Sequence, residues 1–275
     1  LIIVGLVGSI DNDMVGTDMT IGADTALHRI LDAIDQLTST AASHQRTFVV
    51  EVMGRHCGYL PLMAAVAGGA DYVFTPEDPA GPGWQDDLAE HLRVGREAGR
   101  RESIVLVAEG AHDRDGNELS TQLIADTIQE RTGEDARVTI LGHVQRGGTP
   151  SAYDRWMSTL LGYAAVQEIL ESTAEDEPVI LGVRRNRITR VPLMKAVHDT
   201  RAVKDLIAAG DYAAAQASRG SSFSSMVGIN QILSTPPQLT PEPTGEIKRV
   251  AILHAGGLAP GMNTAARVAV RLGIA

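Results

Sequence analysis

Cysteine is almost missing from this sequence: Cys57 is the only one in 275 residues, so no internal disulfide can form. That fits a reducing compartment such as the cytosol. Long apolar runs are missing as well. Each is broken by charge or glycine before it reaches the about 18–20 residues that a membrane span needs. The opening LIIVGLVGS has no basic flank before it and reads as a buried strand, not a signal peptide. Clustered positive charge is also lacking. Lys and Arg number 24 against 34 Asp and Glu, a net charge of −10, with the basic residues dispersed among acidic ones. That excludes a general nucleic-acid surface but leaves room for a small anion where a few arginines converge.

Two chemical signatures are absent too. GGLAPGMN at 256–263 is a glycine-rich loop, a plausible phosphate cradle, but no Gly-Lys-Ser/Thr follows and its spacing is not that of a dinucleotide fingerprint. His56-Cys57 has no second pair at zinc spacing. His112, Asp113 and Asp115 fall in or beside DRDGN (113–117), which reads as a turn, so no metal site is expected within the chain.

What is present is alternation. Apolar, β-branched runs at 2–8, 47–53, 71–75, 103–108, 138–142, 179–183 and 249–254 predict strands. Ala26, Leu27, Ile30, Leu31, Ile34 and Leu37 recur at three- and four-residue steps and predict a helix. Further helices are expected at 59–68, 85–99, 120–132 and 152–171, and a helical pair at about 193–218. Continuous apolar strands alternating with helices indicate an α/β fold, a mainly parallel sheet covered on both faces. Such sheets place ligands beyond the carboxyl ends of their strands. Four of these ends run into charged or glycine-rich turns: Ser9-Ile10-Asp11-Asn12-Asp13, Gly54-Arg55-His56, Glu109-Gly110, and His143 to Gly148. Four such ends suggest one site.

Each constellation has a plainer reading. Asp11 and Asp13, two apart, face one side of an extended chain and could divide acid–base labour; Asp and Asn also make turns by bonding their own backbone. Arg46, Arg55, Arg137, His143 and Arg146 lie at or near strand ends, where convergent guanidinium groups suit phosphate. Any one alone could be a solvated surface residue, and His143 a structural histidine. Met53 reads as pocket wall or core.

Together, GSIDNDMVGTDMTIGADTALHRI, VVEVMGRHCGYLPL, AEG at 108–110 and RVTILGHVQRGGTPSAYDR at 137–155 resemble the segments of the 6-phosphofructokinase family, in family order, over about residues 1–230. The resemblance implies a three-layer sandwich with mainly parallel sheets covered by helices. It also implies phosphoryl transfer from ATP to the 1-hydroxyl of fructose 6-phosphate, the committed step of glycolysis, with Mg2+ accompanying ATP. Asp11 would be the base, Ser9 and Asp13 would orient the hydroxyl, and Arg55 would stabilise the transferring group. Met53 and Gly54 would line the sugar pocket and Glu109 would bind sugar hydroxyls. Arg46, Arg137, His143 and Arg146 would hold the 6-phosphate. In the family some of these arginines come from a neighbouring subunit, so a homo-oligomer is expected.

Gly8 stands where pyrophosphate-using relatives carry lysine, which favours ATP; the pyrophosphate-dependent enzyme and a non-catalytic sugar-phosphate sensor are the alternatives. The expected organisation is a sugar-phosphate and catalytic part at 1–183, a helical part at 184–234, a Pro-rich linker at 235–247 and the start of a second half at 248–275. PLMKAV, ASRGSSF, the linker and GGLAPGMN resemble the connection in animal and fungal enzymes of two fused halves. Leu258 replaces the usual aspartate there, which implies a regulatory second half. Leu1 begins inside an apolar strand and the last segment opens a new unit. The chain therefore reads as a fragment, with its glycine loop and Gly-Gly-Asp segment for ATP and Mg2+ lying before Leu1, and alone it is expected to be nearly inactive.

Overall fold

Two alternating sets of apolar side chains decide the architecture. In the computed structural model, which describes residues 1–235, 249–257 and 259–274, the first half runs β1 (Val4–Leu6), β2 (Gly8–Ser9), β3 (Ile21–Gly22), α1 (Ala23–His44), β4 (Thr47–Val52), α2 (Tyr59–Gly68), β5 (Tyr72–Phe74), α3 (Trp84–Glu97), β6 (Ser103–Ala108) and α4 (Thr121–Thr132). It continues with β7 (Ala136–Ile140), a 3-10 turn (Gly142–Arg146), α5 (Ala152–Glu171), β8 (Val179–Arg184), β9 (Arg187–Pro192), α6 (Leu193–Ala208), α7 (Tyr212–Ser218), α8 (Ser221–Ser234) and α9 (Met262–Ile274).

The central sheet has the order β5-β6-β4-β7, all parallel. Successive residues of a strand point to opposite faces. Phe48, Val50, Val52, Ile104 and Leu106 accordingly join one core with Ile30 and Ile34 of α1 and Leu60 of α2. Val49, Val105 and Val107 join another with Leu88 and Leu92 of α3 and Ile124 and Ile128 of α4. Helices thus cover both faces, giving the expected three layers. A smaller sheet places β8 between β1, in parallel, and β9, antiparallel; Met157 and Leu161 of α5 pack on it with Val7 and Leu181.

Helix ends follow local chemistry. Ser120 caps α4 by accepting from the Leu123 N–H, and Gly133 (φ 73°) ends it. Gly22 has no capping side chain of its own at the start of α1. Asp154, buried in the first turn of α5, accepts instead from the N–H groups of Gly22 (2.8 Å) and Thr25 (2.9 Å). This fastens the two helix starts together.

Two expectations change. The run at 2–8 is two strands, because the chain leaves the β1–β8 ladder at Val7, whose carbonyl accepts from the Ile21 N–H, and pairs again as β2 with β3. Residues 249–254 carry no strand: they are exposed, and an extended segment has no internal hydrogen bonds, so it needs a partner backbone. Within the helical part expected at 184–234, the chain after 218 forms α8, with Phe223 and Leu233 buried. β9 was not anticipated; Arg185 (φ 50°) and Asn186 (φ 59°) make the tight turn that folds it back on β8. The Pro-rich linker lies almost wholly outside the described residues. Among those described, no helix is long and apolar enough to cross a membrane.

Candidate active site

β2, β4, β6 and β7 deliver their carboxyl ends to one region. After β2 the chain bends at once, with Asn12 in the left-handed conformation (φ 51°). Its side-chain oxygen accepts from the N–H (2.7 Å) and hydroxyl (3.1 Å) of Thr20, which hold that unusual backbone in place. The Ser9 hydroxyl ties the two acids into the same bend. It accepts from the Asp11 N–H (3.2 Å) and donates to Asp13 Oδ1 (3.1 Å). The segment is therefore a turn, not an extended run, and the turn itself groups the carboxylates.

At the end of β4, Met53-Gly54-Arg55 forms a tight turn. Arg55 is left-handed (φ 55°) and its N–H donates to Glu109 Oε2 at 3.1 Å. Gly54 and Gly110 are both required by close approach. A Cβ on the first would overlap the Cys57 carbonyl oxygen, and one on the second the Arg55 carbonyl oxygen. The turn after β7 is joined to this one by Gln145, 1 % exposed, whose side-chain oxygen accepts from the Met53 N–H (3.1 Å) and whose amide donates to the Gly142 carbonyl (3.0 Å).

Asp11 is the electrostatic centre. Burial pushes its carboxyl above the ordinary range; the charges of Asp13 and Glu109 push the same way, while Arg146 and Arg55 oppose them. Four loops thus act on one half-buried carboxyl. His143 is exposed on the same 3-10 turn as Arg146. Beside Arg146 lies a cavity of about 260 Å³, also lined by Ile10, Thr25, Asp154 and Arg155.

Arg46 and Arg137 are elsewhere. Arg46 precedes β4 and Arg137 pairs with Phe48 near the strand's start, so both occupy the amino-terminal edge of the sheet, across its width from Asp11. There they share Asp135, at 2.7 and 3.0 Å. The four arginines and His143 do not all converge within one chain; these two form a separate pair.

Several residues in or behind the site escaped the sequence reading. Glu51 lies in β4, its carboxyl raised by burial and by Glu109 and Glu118; a charged residue inside TFVVEVM was its signal. Gln145 was hidden in a turn read for its histidine and arginine. Glu77, fully buried after β5, and Arg219, after α7, form an ion pair (2.8 Å) that no motif announced. Among the described residues no group of three His, Cys, Asp or Glu side chains could hold a metal ion. The glycine loop keeps its helix, α9, but among the described residues no strand precedes it, and its described residues are exposed apart from the half-buried Met262.

The phosphofructokinase family profile matches residues 1–169. The chain is 48% identical over 272 residues to the ATP-dependent 6-phosphofructokinase, liver type, of Bos taurus, covering 99% of this chain and 34% of that protein. It is 50% identical over 271 residues to the ATP-dependent 6-phosphofructokinase of Aspergillus niger, covering 98% and 34%. The structure of phosphofructokinase from Saccharomyces cerevisiae superposes with a TM-score of 0.81 at 48% identity, over 82% of this chain and 30% of that one. The chain spans about a third of the length of the curated relatives it matches. With a family profile covering most of its residues and four strand ends meeting at Asp11, the chain belongs to the phosphofructokinase family.

Proposed function

We propose that this chain supplies the sugar-phosphate and catalytic face of an enzyme that transfers a phosphoryl group from ATP to the 1-hydroxyl of fructose 6-phosphate. The observation that carries the reading is the placement of Asp11, which feels Asp13 of its own loop and Glu109, Arg55 and Arg146 of three others. A carboxyl raised by burial and like charges is a stronger proton acceptor than an ordinary aspartate, as a general base for a hydroxyl requires. Asp11 removes the proton of the 1-hydroxyl, while Ser9, fixed to both Asp11 and Asp13, holds the loop that orients it. Arg55 faces the charge that develops on the transferring group, since phosphoryl transfer is mainly positioning and electrostatic stabilisation. Met53 and Gly54 shape the sugar pocket, Glu109 accepts from sugar hydroxyls, and His143 and Arg146 hold the phosphate.

Arg46 and Arg137, paired at the far edge of the sheet, serve the site of another copy of the chain in a homo-oligomer. Gly8 before Ser9 leaves no lysine to favour pyrophosphate, and the relatives described above are named ATP-dependent. Among the described residues no group of three His, Cys, Asp or Glu side chains could hold the Mg2+ that accompanies ATP, and every step assigned here belongs to the sugar side.

Asp11→Ser in the full-length protein tests the reading. Turnover is expected to fall by about 10²–10⁴-fold while calorimetric binding of fructose 6-phosphate survives. Undiminished turnover would remove Asp11 as base. A protein that binds the sugar phosphate but never turns it over would instead be a sensor.

A further inference from the structure

Among the described residues the most buried ion pair lies behind the site and not in it. Arg219 follows α7, in the helical part of the chain, and its side chain is 6 % exposed; that of Glu77 is fully buried. Its three nitrogens have separate partners. Nε donates to Glu77 Oε1 (2.8 Å), Nη1 to the Asp13 carbonyl (3.0 Å) and Nη2 to the His56 carbonyl (2.8 Å). Glu77 is itself held from two further directions. Its Oε2 accepts from the Gly58 N–H (2.8 Å), and its carbonyl accepts from Gln216 of α7 (2.9 Å). One planar guanidinium therefore spans the loop bearing Asp11 and Asp13, the turn bearing Arg55 and His56, and the segment after β5.

A buried ion pair is weak evidence for stability, because desolvating two charges offsets most of their attraction, and apolar residues of similar volume often do as well. What such residues could not do is donate to two backbone carbonyls at once in a fixed geometry. The guanidinium fork is rigid and presents its donors in one plane, which a lysine cannot imitate. The two carbonyls it holds belong to the two loops whose separation sets the distance from Asp11 to Arg55. Both loops also carry left-handed residues, Asn12 and Arg55, a conformation that surrounding contacts must maintain.

We infer that Arg219, through Glu77, is a positioning residue that locks the Asp11 loop and the Arg55 turn at their working separation, so that the helical part of the chain governs the geometry of the site. The inference rests on the functional reading above for its consequence in catalysis, and on geometry alone for the locking.

Two variants of the full-length protein test it. Arg219→Lys keeps a charge beside Glu77 but loses the fork. Arg219→Met combined with Glu77→Gln removes both charges, leaves no unpaired ion and keeps an acceptor for Gly58. In both, hydrogen exchange is expected to accelerate at the amides of Asp11, Val15 and Cys57, which are hydrogen-bonded in these loops, while β4 and β6 amides stay protected. kcat should fall about tenfold or more, with KM for fructose 6-phosphate changed far less, since misplacing reacting groups costs rate before binding. Unchanged exchange at the three loop amides overturns the inference. So does a uniform rise across the core, or a doubly substituted protein that regains full kcat along with its melting temperature, because either marks a merely structural pair. The exchange readout decides the locking even if the unaltered protein fails to phosphorylate fructose 6-phosphate, an outcome that would sink the functional reading alone.

Discussion

The backbone N–H of Met53 donates to the side-chain oxygen of Gln145 across 3.1 Å, in a place where neither group meets water. This bond joins the end of β4 to the turn after β7, and so sets Arg55 relative to Arg146. Gln145→Leu preserves volume but strands the Met53 donor. A buried unpaired donor costs about 1–3 kcal/mol, so urea unfolding should show a loss of that size. Turnover should fall with it, since Arg55 and Arg146 both act on Asp11.

The acid limb of the rate profile should lie above the ordinary aspartate range, because Asp11 must be ionised to act as the proposed base and its carboxyl is raised. Asp13→Asn removes a like charge and should move the limb to lower pH; Arg146→Gln removes an opposing cation and should move it higher. Residual rates measured across pH check both directions, and a limb that ignores both substitutions would assign it to another group.

The same shift has a stability consequence. A carboxyl whose folded pKa lies above its unfolded value of 3.8 destabilises the fold at every pH above the folded value. The penalty fades as pH falls through that value and vanishes below the unfolded one. Asp11→Asn should therefore melt higher than the unaltered protein at neutral pH, with the advantage lost near pH 3, as scanning calorimetry can show.

Gly54→Ala and Gly110→Ala should each destabilise by more than about 1 kcal/mol, since a Cβ overlaps backbone oxygen at both positions and backbone must move. Both substitutions distort the Arg55 turn, so activity should drop further than stability alone explains. Chemical unfolding beside steady-state kinetics separates the two effects.

Arg46 and Arg137 yield a prediction about pairs of chains. Asp11→Ser and Arg137→Ala should each be poorly active alone. Coexpressed, they should regain part of the activity, because a hybrid contains sites with both an intact Asp11 and an intact Arg137. No recovery in purified hybrids would confine both residues to one chain.

Much of this arrangement was legible in the sequence, for a physical reason. A parallel sheet buried on both faces writes itself as continuous apolar runs, so β4 and β6 were read almost to the residue, and α2 and α5 to their ends. The rule that ligands gather at carboxyl ends then brought Ser9, Asp11, Arg55 and Glu109 together before any coordinates. What stayed hidden depends on pairing across long sequence separations. Nothing in LIIVGLVGS says that its two ends join different sheets, and nothing in RITRVP marks a strand until β8 is beside it. Arg46 and Arg137 showed the limit of the rule: both border strands, but at the wrong ends for the site in their own chain. Arg219 sat in a serine-rich stretch, 142 positions from the glutamate that gives it meaning.

Cys57 closes the turn that holds Arg55, fully buried, its thiol pushed far up by that burial and by the charge of Glu77. Only a thiolate attacks a modifying reagent, so the group is inert for as long as the turn stays shut. Its uniqueness in the chain makes it a natural reporter: alkylation requires an excursion of the turn, and the pace of labelling tracks how readily that turn opens.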